Sequence, residues 1–115
     1  MFIDNRGKEW PLEEAKQCVG PGWGSLIERL WEYFKGREVQ VNQIKEKFGG
    51  LRFYVANATD LDYMEIDQAE KDSFATCEEC GEPGKPRING WIKTLCDRHA
   101  REHEERWRAG QNFIS

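Results

Sequence analysis

Residues 76–100 read TCEECGEPGKPRINGWIKTLCDRHA, and what this stretch holds decides what fold the chain can have. It contains three of the four cysteines and one of the two histidines. Cys77 and Cys80 are separated by two residues, fifteen follow, and Cys96 and His99 are again separated by two. Two intervening residues let a tight turn present both side chains to one ion. Three thiolates and one imidazole are a familiar tetrahedral zinc set. Between the pairs, Asn89-Gly90 sits between Ile88 and Trp91-Ile92. An Asn-Gly flanked by apolar residues is the strongest short hairpin signal, and a hairpin returns the second pair to the first. Asp97 follows Cys96 where a helix should start. Cys96 and His99 then fall in its first turn, where backbone N–H groups favour thiolate.

A knuckle, a hairpin and a helix that completes the site look like a treble-clef zinc finger, spanning residues 76–109. The expected cofactor is one structural Zn²⁺ on Cys77, Cys80, Cys96 and His99. Four protein ligands leave no position for water or substrate, and closed sites are structural. Structural zinc contributes roughly 10–16 kcal/mol of apparent binding energy in finger peptides. A whole domain has roughly 5–15 kcal/mol of net stability. The ion can therefore decide whether the C-terminal third folds. A redox Cys77/Cys80 pair is the competing reading, but a thioredoxin-type motif follows a strand in a βαβ pattern, which is not evident here.

Upstream, the hydrophobic period changes twice. Pro11 followed by LEEAKQCV predicts a short helix with Pro in its first turn, stopped by Gly20-Pro21-Gly22. In WGSLIERLWEYFKG, Leu26, Ile27, Leu30, Trp31 and Phe34 recur at three and four, which predicts an amphipathic helix. Gly24 or Ser25 would cap it and Gly36 would end it. From Glu38, EVQVNQIKEKF-GG-LRFYVA reads as a β-hairpin. Leu51, Phe53 and Val55 share one face, Arg52 and Tyr54 the other, with Val39 and Val41 on the facing strand. The step from Val41 to Ile44 breaks the alternation and predicts a bulge or a strand end. Gly49-Gly50 would form the turn. Residues 61–75 predict a helix with a thin apolar face of Ile66, Ala69 and Ser73. The tail HAREHEERWRAG predicts a charged helix ended by Gly110. The expected architecture is a single α+β domain over residues 1–115, in which a helix packs on a short antiparallel β-hairpin sheet and a finger closes the C-terminal end.

The chain is polar, with 38% hydrophobic and 33% charged residues, but five Trp, six Phe and three Tyr supply large burial per residue. The net charge of −4 argues against non-specific DNA binding and against a basic membrane-surface role. Residues 77–115 carry seven basic and seven acidic side chains, so the excess acid lies upstream. MFIDNRGKEW is not a secretory leader. No apolar run is long enough for a membrane span, so a cytoplasmic location is expected.

A catalytic constellation is harder to find. His103 lies one turn beyond His99 and could replace it as ligand or act as a base; a half-buried stacking histidine is the plainer reading. Cys18 stands alone in sequence and reads as a small buried hydrophobe. Nucleases of the His-Asn-His type on similar fingers need a histidine base that is missing between Cys80 and Cys96. Asp60, Asp62, Glu65, Asp67 and Glu70 read as a solvated acidic face, with a magnesium site as the alternative. Gly20-Pro21-Gly22-Trp23-Gly24 lacks the Lys-Ser/Thr ending of a phosphate-binding loop and reads as a tight turn. Lys45, Lys47, Arg52 and Tyr54 could face solvent together as a surface for single-stranded nucleic acid; ordinary strand alternation explains them equally.

Two resemblances extend this reading. TCEECGEPGKPR with LCDRHA resembles the zinc finger of the DksA/TraR-type bacterial regulators, with His99 where those carry a last cysteine. The resemblance covers about 25 residues, and the helical hairpin of those regulators has no counterpart here. More broadly, GWGSLIERLWEYF, VQVNQIKEKFGGLRFYV, AEKDSFATCEECGEPG and GWIKTLCDRHA are together similar to a group of small, largely uncharacterised proteins of bacteria and their phages. KEKFGGLRFY is the most specific of these strings. The resemblance implies a small protein that binds and diverts a host machine, as an adaptor or inhibitor of a host protein. The function expected is a non-enzymatic interaction module with a protein partner, with Tyr54, Trp91 and Trp107 as candidate contacts. A nucleic-acid-binding finger is the alternative, with phosphate contacts from Lys85, Arg87, Lys93, Arg98 and Arg101. A small enzyme using Cys18 or His103 comes third.

Overall fold

The computed structural model describes residues 2–4, 6–88 and 92–114, without the side chains of Phe2 and of residues 110–114. Elements run β1 (Phe2–Ile3), β2 (Glu9–Trp10), α1 (Leu12–Gln17), a 3₁₀ turn (Pro21–Trp23), α2 (Gly24–Phe34), β3 (Gln40–Lys47), β4 (Gly50–Ala56), α3 (Asp60–Ser73), β5 (Lys85–Ile88), β6 (Ile92–Leu95) and α4 (Asp97–Ile114). The class is α+β. Strands pair only with their sequence neighbours, giving antiparallel ribbons β1–β2, β3–β4 and β5–β6.

The core forms where α2 meets the β3–β4 ribbon. Leu26, Ile27, Leu30 and Phe34 are buried on one helix face, as the 3–4 spacing requires. Val41, Ile44, Leu51 and Phe53 are buried on the facing side of the ribbon. Phe53 is the joint: it stacks on Phe34 with ring centroids 6.2 Å apart and meets Trp31 edge-on at 6.1 Å. Both geometries suit the quadrupoles of the rings. The ladder slips between Val41 and Gln43, the expected bulge, which returns Ile44 to the core side.

The hairpin turn differs from expectation. Its positive-φ residues are Phe48 (φ 54°) and Gly49 (φ 81°), between the paired Lys47 and Gly50. Two successive positive φ values make the primed two-residue turn whose twist suits a hairpin. Gly50 is already in β4, and its reason is packing: a Cβ there would lie 2.2 Å from Cζ of Phe74.

α3 covers the free edge of β4. Leu51 and Phe53 turn their N–H groups away from β3, where Ser73 Oγ accepts at 2.9 Å and Glu70 Oε1 at 3.3 Å. An unpaired edge is thereby closed by side chains. The same helix starts with a capping box, Thr59 and Asp62 each accepting from the other's backbone N–H. Asp62 is therefore not on a solvated face. It is 4% exposed, and Tyr33 Oη and Arg37 Nη1 both donate to its Oδ1 at 3.1 Å.

Other boundaries shift for local reasons. Pro11 precedes α1 as its N-cap, and α2 follows directly from the 3₁₀ turn with Trp23 as N-cap, so neither Gly24 nor Ser25 caps it. α4 continues through Gly110 to Ile114; an interior glycine weakens a helix without ending it. β1 and β2 are too short to have been legible as strands. The expected turn at Asn89-Gly90 lies outside the described residues.

The Gly20–Gly24 stretch is more than a turn: it receives the cysteine knuckle. Gly22 N donates to Glu78 O at 2.8 Å, and Trp23 Nε1 donates to Thr76 O at 2.8 Å. A Cβ on Gly22 would lie 1.9 Å from Cys77 O. Gly22→Ala should lower stability by about 3 kcal/mol, the upper range for overpacking, read as a shift in the urea midpoint. An unchanged midpoint would mean the two segments do not touch. A second expectation concerns acid. The Thr59 N–H foremost, outweighing burial, and then Tyr33, the Thr59 side chain and Arg37 hold the Asp62 carboxyl below its ordinary value. Its stabilisation is thus full above the unfolded carboxyl pKa of about 3.9 and is lost as pH falls through the lower folded value. Asp62→Asn should flatten this acid limb of the stability curve. A limb identical to the wild type would show that Asp62 does not drive it.

Candidate metal centre

Cys77, Cys80, Cys96 and His99 come together from two separate turns. Their ligand atoms all lie within 4.8 Å of one another, and they are the only group of three or more Cys, His, Asp or Glu side chains so placed among the described residues. Cys80 Sγ and Cys96 Sγ are 3.8 Å apart. His99 Nδ1 lies 3.3 Å from Cys96 Sγ and 3.7 Å from Cys77 Sγ. A tetrahedral ion with metal–S near 2.3 Å and metal–N near 2.0 Å requires ~3.8 Å between sulfurs and ~3.5 Å from sulfur to nitrogen. The donors are thus spaced for one ion.

Local structure explains the placement. The knuckle closes by Cys77 N donating to Glu82 O at 2.8 Å and Gly81 N to Cys77 O at 2.9 Å, with Gly81 at φ 82°. Only a residue free of Cβ strain takes that conformation readily. The second pair is set by β6 and the start of α4. Ala100 N donates to Cys96 O at 2.8 Å, and His99 N approaches Cys96 Sγ at 3.4 Å, so the first helical turn aims an N–H at the sulfur. Arg87 ties the corner: its guanidinium donates to Leu95 O and, at 2.8 Å, to Asp97 Oδ1.

Electrostatics favour a cation here. Burial pushes the Cys77 thiol up, but N–H groups of Cys96, Cys80 and Glu79 outweigh it and bring the pKa to about 7. At Cys80 the Glu82 N–H pulls down, yet burial and the neighbouring Cys77 and Cys96 sulfurs leave the pKa raised. Three sulfurs this close cannot all become thiolates comfortably without a positive ion among them. With Nδ1 turned to the sulfurs, His99 Nε2 faces outward, 3.4 Å from Arg98 Nη2 and 3.9 Å from Glu102 Oε2.

The largest feature invisible to sequence reading is Glu78. In the string CEEC it reads as surface, but it is 4% exposed. Its carboxylate accepts from Thr94 N at 3.0 Å and Lys93 Nζ at 3.1 Å, while burial pushes its pKa up against both partners. It thus pins the knuckle to β6. Thr94 in turn donates to Gly49 O, which joins the finger to the β3–β4 turn.

The remaining candidates fall elsewhere. His103 is half-buried and outside the four-residue group; burial first, then Lys93 and Arg106, lowers its pKa. Cys18 donates to Glu14 O at 3.5 Å, and burial pushes its thiol up. Arg87 and Lys93 are engaged within the finger, whereas Lys85, Arg98 and Arg101 are exposed. Tyr54 and Trp107 are exposed on different elements, and Trp91 lies outside the described residues. Among the described residues no helix is long and apolar enough to cross a membrane. The class so defined is a small α+β domain with a four-residue Cys₃His centre. No protein-family model, curated protein or solved structure matches the chain.

Metal titration separates the two histidines. His99→Ala should weaken metal affinity at least tenfold, while His103→Ala leaves stoichiometry and affinity unchanged. Loss of metal from the His103 variant would transfer the fourth position to that residue.

Proposed function

We propose that the chain is a zinc-stabilised, non-enzymatic interaction module. One Zn²⁺ joins Cys77, Cys80, Cys96 and His99, and residues 76–109 form a treble-clef-like finger. The observation that carries this reading is the 3.8 Å sulfur–sulfur and 3.3–3.7 Å sulfur–nitrogen spacing of a Cys₃His donor set. Soft thiolates with one imidazole in tetrahedral array suit zinc above the hard cations. All four ligands come from the protein, so the ion holds the finger together and presents no open position for chemistry. Cys18 and His103 do not supply one: each is engaged or half-buried where it stands, and a raised thiol pKa is the opposite of what a nucleophile needs.

A bacterial or phage origin, which the sequence resemblance implies, makes the partner a host protein that the module adapts or inhibits. Exposed aromatics suit contact with such a protein. Tyr54 and Trp107 remain available for it at 43% and 42% exposure.

The test is elemental analysis followed by chelation. The purified chain should carry one zinc per molecule. Removing it, or introducing Cys80→Ser, should abolish the ordered signal of the C-terminal third in circular dichroism and leave the α2–hairpin core partly folded. A metal-free protein with an unchanged spectrum would end the structural-zinc reading.

A further inference from the structure

One face of the β3–β4 ribbon is turned away from the core, with Gln43, Lys47 and Tyr54 exposed and Lys45 and Arg52 half-buried, the Arg52 Nε buried without a hydrogen-bond partner. Its register puts Gln43 opposite Tyr54, Lys45 opposite Arg52 and Lys47 opposite Gly50. Because side chains alternate across a strand, these residues share the side turned away from the core, while Ile44, Phe53 and Leu51 take the other. Glu46, the acidic residue of β3, also lies on the far side, its carboxylate accepting from Gly49 N at 2.9 Å. The outer face therefore carries Lys45, Lys47 and Arg52, and β3 and β4 place no carboxylate on it. Glu70 on α3 acts on Arg52 while bonded to Phe53 N. Among the described residues none of these three cations forms an ion pair within 4 Å. In a chain of net charge −4 this is a local basic surface.

Two exposed aromatic rings flank the cations. Tyr54 is 43% exposed, with Lys45 Nζ 5.7 Å from its centroid. Phe48, at the tip, is 61% exposed, with Lys47 Nζ 5.7 Å from its ring. Phe48 also sits at φ 54°, a conformation that Asn or Gly would take with less strain. Neither burial nor turn chemistry accounts for a phenylalanine there. An aromatic held in an unfavourable backbone state and left in water is a functional-site signature.

We infer that this face binds single-stranded nucleic acid, with Phe48 and Tyr54 stacking on bases and Lys45, Lys47 and Arg52 meeting the intervening phosphates. The ribbon from Gln43 to its tip spans about 17 Å at strand rise, long enough for a few nucleotides. Stacking rings select single strands, whose base faces are free; a duplex hides them, and an acidic protein segment has none. The inference goes beyond the protein partner proposed above and gives this face a partner class of its own. It depends on the proposed finger only in that the finger's Thr94 supports the turn at Gly49.

The test uses the full-length, zinc-loaded chain and a fluorescein-labelled 15-mer of deoxythymidine, read by anisotropy. Three phosphate contacts at about −0.7 each for a single strand give a log–log salt slope near −2, so affinity should fall about 20-fold between 50 and 200 mM salt. An abasic 15-mer and the duplex should bind at least tenfold more weakly. Phe48→Asn and Tyr54→Ala should each weaken binding about tenfold. Zinc content should not change in either variant, and Phe48→Asn should keep or raise Tm because Asn suits the turn. Absence of binding at 50 mM salt would overturn the inference, as would equal binding of the abasic strand or of a polyglutamate 15-mer. Binding untouched by both ring substitutions would do the same. Each of these outcomes is read beside the measured zinc content, so failure of the nucleic-acid face is distinguishable from failure of the metal centre.

Discussion

The structure depends on the seating of the Thr76–Gly81 knuckle on Gly20–Trp23. Gly22 N meets Glu78 O and the Trp23 indole meets Thr76 O, both at 2.8 Å. Trp23 is fully buried, so this indole contact also satisfies a polar group inside the domain. The contact forms only because both approaching chains are bare at the crossing: Gly22 on one side, Gly81 on the other, with Gly22 O 3.2 Å from where a Gly81 Cβ would stand. The turn that carries Cys77 and Cys80 and the turn that enters α2 thereby become one unit.

A second set of contacts makes the arrangement cooperative. Glu78 fixes the knuckle to β6, Thr94 fixes β6 to the hairpin turn at Gly49, and Phe74 packs on Gly50. The finger leans on the same glycine pair that forms and follows the β3–β4 turn. This accounts physically for most of the string KEKFGGLRFY: Leu51 and Phe53 build the core, Gly49 admits the finger and Gly50 admits Phe74, and Lys45, Lys47, Arg52 and Tyr54 form the outer face. Buried polar groups such as Glu78 and Thr94 are tolerable because each has a partner, and a satisfied network of this kind favours one docking arrangement over others.

Much of the local structure was legible. The 3–4 spacing of α2, the alternation of β4 and the bulge after Val41 follow from which side chains must leave water, and the structure has all three. The metal group was legible for a different reason: Cys-x2-Cys and Cys-x2-His spacings are short-range geometry, which a turn imposes regardless of what surrounds it. Asp62 and Glu78 were misread or missed because a carboxylate in a polar string carries no signal of burial. Beyond Thr59 of its own capping box, the partners that bury Asp62 are 25 and 29 residues away, and those of Glu78 are 15 and 16 away. Gly50 was assigned to the turn on the general preference of glycine for positive φ, when its need was space for Phe74.

The sequence by itself determined α2, the β3–β4 hairpin and the grouping of Cys77, Cys80, Cys96 and His99, because periodicity and Cys/His spacing are properties of neighbours along the chain. It also determined that Phe48 stands beside two lysines in a hairpin. Only the tertiary structure decided what those features face. It placed Gly22 against the knuckle, buried Glu78, and left Phe48 at the tip in water with a positive φ. The physical reason is that close backbone approach, desolvation and exposure are set by segments distant in sequence, and no local pattern encodes the distance between them.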